Sequence, residues 1–168
     1  MRLKLFIVLF TFILISIPFF PYKLVVAFTF EDGEQLLAYL SMEEKESFQI
    51  QYTHSIHNSN VTETYRISSN EITQTELAYK DFAVGMPSDA EGNELFIRKG
   101  GIYYIKNMNR TFSYIDLRIG QVKANHRLIY EGKTYLLSND IKPGTWVRIT
   151  PKKITLWQQL KGVKINDS

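Results

Sequence analysis

An uncharged apolar run near the amino terminus is followed by short segments in which apolar and polar residues alternate. The run covers Leu5–Phe20 and comes directly after the basic residues Arg2 and Lys4. It carries no polar stripe, unlike a helix that packs on the core of a soluble domain. Basic residues before such a run predict a cytoplasmic amino terminus and a chain that continues on the outer face of the membrane.

Two fates of residues 1–22 are compatible with this run. A cleaved signal peptide fits the short apolar stretch, but the nearest small residue after it is Ala27, within a predicted strand. An uncleaved anchor fits the lack of a small-residue cleavage site after the run. Residues 1–22, at about 1.5 Å each, are long enough to span a hydrocarbon layer of roughly 30 Å. We expect a single-pass anchor over residues 1–22 and an extracytoplasmic domain over residues 23–168, or alternatively a secreted domain after signal cleavage.

The chain after Lys23 consists of short segments rich in Val, Ile, Tyr, Phe and Thr, separated by Gly, Asn, Asp and Pro. This pattern is typical of antiparallel strands and their turns. It predicts an all-β fold, an antiparallel sandwich or partly closed barrel preceded by one N-terminal membrane helix. The predicted strands are Leu24–Phe30, Ser47–Ile56, Val61–Ser68, Glu71–Tyr79, Glu94–Arg98, Ile102–Ile105, Phe112–Ile119, His126–Tyr130, Lys133–Leu137 and Thr145–Thr150.

Turns and two less regular segments complete this scheme. Gly or Pro permits a tight reversal at 99–101, 131–132 and 142–144. Leu36, Leu37 and Leu40 recur at helical spacing, which makes a helix plausible over Glu34–Lys45. The segment Ile154–Leu160 is expected to form a short helix or a last strand.

The hairpin predicted over Ser47–Ser68 has one polar residue on the apolar face of each strand. Alternation places His54 on that face of the first strand and Glu63 on that face of the second. A four-residue loop, His57–Asn60, would make the two residues direct cross-strand neighbours. Because a lone buried charge costs several kcal/mol, pairing would explain how both are tolerated. The pair either sets the strand register or forms a small polar pocket for a ligand or partner group.

Three motifs resemble the bacterial family known as domain of unknown function 1850. They are YTHSI at Tyr52–Ile56, TETY at Thr62–Tyr65 and VGMP at Val84–Pro87. The resemblance covers most of Leu24–Gly162. It implies a short membrane-anchored or exported protein associated with solute uptake by tripartite transporters of the TRAP type with TAXI-like binding proteins, without an established activity. It also implies a strand and a turn before the first motif, which argues against a long helix over Glu34–Lys45.

The motif residues define a candidate binding site. The segment Gly85–Pro87 is predicted to be a turn whose glycine permits an unusual backbone angle. Alternatively, it is a loop that lies over the end of the sheet carrying His54 and Glu63. The candidate ligand- or partner-binding residues are Tyr52, Thr53, His54, Ser55, Glu63, Gly85 and Pro87.

Catalytic and metal sites have less support than a binding site. His54 and Ser55 are adjacent on a predicted strand and face opposite sides, so they do not form a nucleophile and base pair, and no G-x-S-x-G motif is present. The spacing of His54, His57 and His126 matches no metal-binding signature. We expect a non-enzymatic accessory or binding module without a cofactor or metal. The alternative is a hydrolase or transferase that uses His54 and Glu63 as acid and base.

Charge and composition narrow the range of partners. Arg2, Lys4 and Lys23 account for the net charge of +3, so the rest of the chain is neutral and lacks an electrostatic footprint for nucleic acid. The absence of cysteine excludes a disulfide framework and a Cys-ligated metal. The expected partners are the membrane, through residues 5–20, and the transporter subunits that the resemblance implies.

Four lysines near the carboxyl end leave two interpretations open. They either contact anionic lipid or form an ordinary solvated face. They are Lys152, Lys153, Lys161 and Lys164.

Overall fold

The computed structural model describes residues 2–55, 57–82, 86–121 and 124–167. The chain is mostly β, with 49% of residues in strands. It begins with helix α1 (Arg2–Ser16) and a 3-10 turn at Ile17–Phe19. The elements that follow are β1 (Lys23–Phe30), β2 (Leu36–Ser41), β3 (Ser47–Thr53), β4 (Asn60–Ile67), β5 (Ile72–Tyr79), β6 (Leu95–Lys99), β7 (Ile102–Phe112), β8 (Ile115–Arg118), β9 (Arg127–Tyr130), β10 (Lys133–Leu136), α2 (Leu137–Asp140), β11 (Trp146–Ile154), α3 (Leu156–Lys161), β12 (Val163–Lys164) and a 3-10 turn at Ile165–Asp167.

The strands form two sheets. One has five strands in the order β12-β2-β1-β11-β8, and the other has seven in the order β10-β9-β3-β4-β5-β7-β6. Within the described ranges, the strands pair antiparallel except for β12, which runs parallel to β2. Neither sheet closes into a barrel over these residues. The expected all-β fold is therefore confirmed, in its sandwich form.

The main core contains buried side chains from both sheets. Phe28 and Leu40 of the five-stranded sheet belong to the same apolar cluster as Ile50 and Leu128 of the seven-stranded sheet, and each is at most 2% exposed. Burial of a large apolar side chain of this kind contributes roughly 1.5–3 kcal/mol. This core holds the two sheets against each other.

The segment Glu34–Lys45, for which a helix was plausible, contains a strand instead. In β2, Leu40 lies opposite Val26 and Ala38 opposite Phe28. Because β1 is a central strand, its backbone groups need hydrogen-bond partners on both sides. β2 pairs with β1 on one side, and β11 pairs with it on the other. This tertiary pairing outweighs the weak helical spacing. The strand agrees with what the family resemblance implied.

Other boundaries differ in a few places. The predicted strands Ile102–Ile105 and Phe112–Ile119 are divided differently, since β7 continues through Phe112 and β8 begins at Ile115. The segment Ile154–Leu160 contains the helix α3. The glycine turns lie where they were predicted, with Gly101 at φ 79° and Gly132 at φ 74°, a backbone region that favours glycine.

Helix α1 is apolar and exposed on every side. Leu5 is 62% exposed and Phe12 is 70% exposed. In the part of the chain that the structure describes, no helix combines the length and the apolar character needed to cross a membrane.

Candidate functional site

The β3–β4 hairpin has a different register from the predicted one. Ile50 lies opposite Glu63, and Tyr52 lies opposite Val61. The connection therefore spans positions 54–59 and is longer than the predicted four-residue loop. The predicted cross-strand pairing of His54 with Glu63 is wrong. Glu63 keeps its predicted face because the register differs by an even number of residues.

His54 lies at the start of the connecting turn. Its N–H donates to the carbonyl of Ser59 at 2.8 Å, and its carbonyl accepts from the N–H of Asn58 at 3.0 Å. Asn58 has φ 51°, which asparagine tolerates better than most residues. Ser55 is exposed in this turn, and Ile56 lies outside the described residues. His54 and Ser55 thus belong to the turn and extend neither strand face.

The second core lies beside Glu63 on the inward face of the seven-stranded sheet. Its buried members come from β4, β5 and β7, and none of those described belongs to the five-stranded sheet. Tyr52, Met86, Phe96 and Tyr103 pack against it. The buried members are Val61, Leu77, Tyr79, Ile105 and Met108.

Glu63 places a carboxylate between these two cores. Its cross-strand neighbours are Ile50, a member of the main core, and Leu77, a member of the second core. The carboxylate accepts a hydrogen bond from the Tyr65 hydroxyl at 2.8 Å. Burial raises the pKa of Glu63, and the hydrogen bond from Tyr65 opposes part of that rise.

Two tyrosines and a glutamine complete what we call the inward polar site, formed by Tyr52, Glu63, Tyr65 and Gln74. Burial, together with the nearby Glu63, raises the pKa of Tyr52 to about 12. Burial and Glu63 also raise the pKa of Tyr65. Gln74 lies opposite Tyr65 and is only 8% exposed. At neutral pH both hydroxyls therefore stay protonated, and that of Tyr65 donates to Glu63.

Sequence reasoning missed Gln74 and the contact of Tyr65 with Glu63. The buried positions of β5 are 72, 74, 77 and 79, so one step of three residues interrupts the usual steps of two. That step marks a bulge, where the register with β4 shifts between Thr64 and Tyr65. In the sequence, the apolar alternation of ITQTELAY shifts by one residue between its two halves, and this shift was the available signal of the bulge. The bulge brings the polar residue Gln74 to the inward face opposite Tyr65.

The segment after β5 covers the second core. Met86 packs against that core, and the Tyr79 hydroxyl donates to the carbonyl of Pro87. The ring of Phe82 lies 4.3 Å from the ring of Tyr103, centroid to centroid. Met86 and Pro87 thus lie near the end of the sheet that carries Tyr52. Gly85 lies outside the described residues.

His126 is buried beside Tyr52. Their ring centroids are 5.7 Å apart, and Nδ1 of His126 accepts from the N–H of Gly120 at 3.0 Å. Burial lowers the pKa of His126, which favours the neutral imidazole. The ring of His54 lies beside that of His57, with their centroids 5.7 Å apart. Over the described ranges, no group of three or more His, Cys, Asp or Glu residues is arranged to hold a metal ion.

The middle of this chain is similar to a known protein family. The family model described as "Domain of unknown function (DUF1850)" matches residues 48–137, more than half of the chain. The chain belongs to the DUF1850 family. The matched segment of this DUF1850 chain contains the inward polar site and nearly all of the seven-stranded sheet, whereas α1 and α3 lie outside it. Neither the curated proteins nor the solved structures gave a match.

The raised pKa of Glu63 predicts a pH dependence of stability. Between the ordinary carboxyl pKa and the raised one, the folded state binds more protons than the unfolded state, so the free energy of unfolding falls as pH rises. Glu63→Gln removes this titration and keeps a hydrogen-bond acceptor for Tyr65. We expect the free energy of unfolding of Glu63→Gln, relative to the wild type, to increase with pH across that interval. Urea denaturation from pH 4 to pH 8 measures the difference.

Asp116→Asn is the matched control with the opposite sign. Two hydrogen bonds from Arg148, both at 2.8 Å, lower the pKa of Asp116. Its stabilising contribution is therefore present at neutral pH and lost as pH falls. Asp116→Asn should lose stability relative to the wild type as pH rises. A difference for Glu63→Gln that is independent of pH, or that follows the sign of Asp116→Asn, would contradict the assigned environment.

Proposed function

We propose that this DUF1850 chain is a non-enzymatic binding module anchored in the cell membrane, with its β domain on the outer face. The observation that carries the proposal is helix α1, whose apolar side chains are exposed on every side, including Phe6 at 67% and Ile15 at 62%. Such a surface is costly in water and favourable in hydrocarbon. Arg2 and Lys4 favour an amino terminus on the cytoplasmic side.

We assign recognition of a ligand or partner group to the inward polar site. The hydrogen bond from Tyr65 holds the Glu63 carboxylate within an apolar face, and such isolated polar groups fix the orientation of a bound group. His54 in the turn and Pro87 in the covering segment are the neighbouring candidates. The proposed partner is a subunit of a tripartite solute transporter of the TRAP type with a TAXI-like binding protein, as the resemblance to the family implies.

Reporter fusions after Ser168 test the topology. We expect a phosphatase that is active only after export to be active, and a reporter that is active only in the cytoplasm to be silent. Deletion of residues 2–22 is the control and should abolish phosphatase activity. Mass spectrometry of the purified chain should find residues 1–22 present, whereas their loss would support signal cleavage. A silent phosphatase with an active cytoplasmic reporter would contradict the proposal.

The partner is tested in the same cells by crosslinking in the membrane and mass spectrometry. Transporter subunits should be recovered with the wild type and reduced several-fold with Glu63→Gln. Glu76→Gln is the matched control, since Glu76 lies on the outward face of the same sheet in an ion pair with Lys106 at 3.0 Å. Equal recovery of subunits with both variants would contradict the role of the inward polar site in binding. Recovery of no transporter subunit with the wild type would contradict the proposed partner.

A further inference from the structure

A patch of exposed apolar side chains surrounds helix α3. Leu160 is 75% exposed and Trp157 is 48% exposed, and Leu156 and Val163 beside them are also exposed. The side chains lie on a short helix and on the strand that follows it. We call Leu156, Trp157, Leu160, Lys161 and Val163 the basal patch.

The basal patch adjoins the end of the apolar N-terminal segment. The ring of Phe19 lies 6.3 Å from the ring of Trp157, centroid to centroid. The side-chain amide of Gln159 donates to the Tyr22 hydroxyl at 3.1 Å, and the N–H of Tyr22 donates to the carbonyl of Ile154 at 3.2 Å. The exposed apolar surface of the N-terminal segment therefore continues into α3.

The orientation of α3 is held by local contacts. Thr155 and Gln158 form a reciprocal capping box at its first turn. At its other end, Gly162 lies so close to β2 that a Cβ there would be 2.8 Å from a methyl carbon of Leu36. Strand β12 then pairs with β2. Both ends of α3 are thus fixed, and its apolar side chains are exposed.

The chain segment that contains α3 is basic, and acidic residues lie beside it. Residues 151–164 contain four lysines and no acidic residue. The ammonium of Lys161 lies 4.8 Å from the centre of the Trp157 ring. Glu34 is the acidic residue that shares a groove with Trp157 and Lys161. Further acidic side chains share a separate cavity with Lys23 and Lys153, and these are Glu43, Glu44, Glu46 and Glu131.

We propose that the basal patch rests on the outer surface of the bilayer, with Trp157 and Leu160 at the level of the headgroups and Lys161 against anionic phosphate. This inference rests on the proposed membrane anchoring and adds the orientation of the domain. Trp is enriched at membrane interfaces, where its ring is amphipathic, and Lys extends its charge toward headgroups. A lysine close to an anionic surface contributes attraction that neutral lipid lacks. Lys161 beside Trp157 and the continuity with the apolar N-terminal segment favour an anionic bilayer over a second copy of this chain.

The chain contains two tryptophans, which permits a matched measurement. Trp146 begins β11, at the other end of the strand from Ile154, about 26 Å away at roughly 3.3 Å per residue. The variant Trp146→Phe leaves Trp157 as the reporter, and Trp157→Phe leaves Trp146 as the control. Each full-length chain is reconstituted into vesicles of phosphatidylcholine and phosphatidylglycerol whose acyl chains carry bromine, a quencher of indole fluorescence.

We expect Trp157 to be quenched at least about twofold more than Trp146, and more strongly in vesicles with phosphatidylglycerol than in phosphatidylcholine alone. Lys161→Gln, added to Trp146→Phe, should remove this dependence on anionic lipid. Equal quenching of the two tryptophans in chains that float with the vesicles would overturn the inference and leave the anchoring intact. Failure of the chain to float with the vesicles would overturn both. Quenching of Trp157 without any effect of phosphatidylglycerol or of Lys161→Gln would overturn the assigned role of Lys161.

Discussion

Phe28→Ala is expected to lower the free energy of unfolding by about 3–5 kcal/mol. Phe28 is fully buried in the central strand of the five-stranded sheet and belongs to the main core between the sheets. Truncation removes the transfer free energy of the ring and leaves a cavity that packed neighbours fill only in part. Chemical denaturation followed by circular dichroism gives the change.

Phe30→Ala provides the control in the same strand. Phe30 is the same residue type two positions later, but it is 42% exposed. Its truncation should cost no more than about 1 kcal/mol, because exposed side chains lose little burial. Similar losses for the two variants would show that β1 is not central to the sandwich.

Tyr65→Phe is expected to destabilise the chain by about 1–3 kcal/mol at neutral pH. The substitution removes one hydroxyl and keeps the ring, which stacks on Phe48 at 5.6 Å between centroids. Glu63 would then lack the donor at 2.8 Å, and a buried acceptor without its partner retains its full cost of desolvation. Denaturant titration of the variant beside the wild type measures the loss.

Two comparisons make this prediction specific to the inward polar site. Tyr104→Phe, on the outward face of β7, should change stability by about 0.5 kcal/mol or less. A double-mutant cycle of Tyr65→Phe with Glu63→Gln should show coupling of roughly 1 kcal/mol, since the two groups are in contact. Effects that add within about 0.3 kcal/mol would mean that the hydroxyl and the carboxylate do not interact in solution.

The connecting turn shows why the register escaped sequence reasoning. Alternation assigns each residue to a face, and the faces of β3 and β4 are as predicted. Alternation carries no information about loop length, because the pattern is equally compatible with His54 as the last residue of a strand or as the first residue of a turn. Hydrogen bonds settle this choice in the folded chain, where His54 bonds to Ser59 and Thr53 bonds to the carbonyl of Ala124 at 2.8 Å.

The position of Glu63 separates local from tertiary information in the same way. An acid on an apolar strand face is visible in the sequence, and it indicated a polar group within the core-facing surface. Its contact with Tyr65, two residues along the same strand, depends on how the two side chains pack in the folded chain. The bulge in β5, which brings Gln74 opposite Tyr65, also depends on the folded structure. Membership in the DUF1850 family followed from the motifs, since they are contiguous in the chain.

The amino-acid sequence by itself determined the all-β class, the apolar N-terminal segment, most strand positions and the inward face of Glu63. These features depend on residue type and on spacings of a few residues, which backbone geometry translates directly into strands, turns and faces. Tertiary structure alone decided that residues 36–41 form a strand, which residue lies opposite Glu63 and which surface adjoins the N-terminal segment. Those outcomes depend on backbone hydrogen bonds and packing between segments far apart in the chain, and these interactions override weak local preferences.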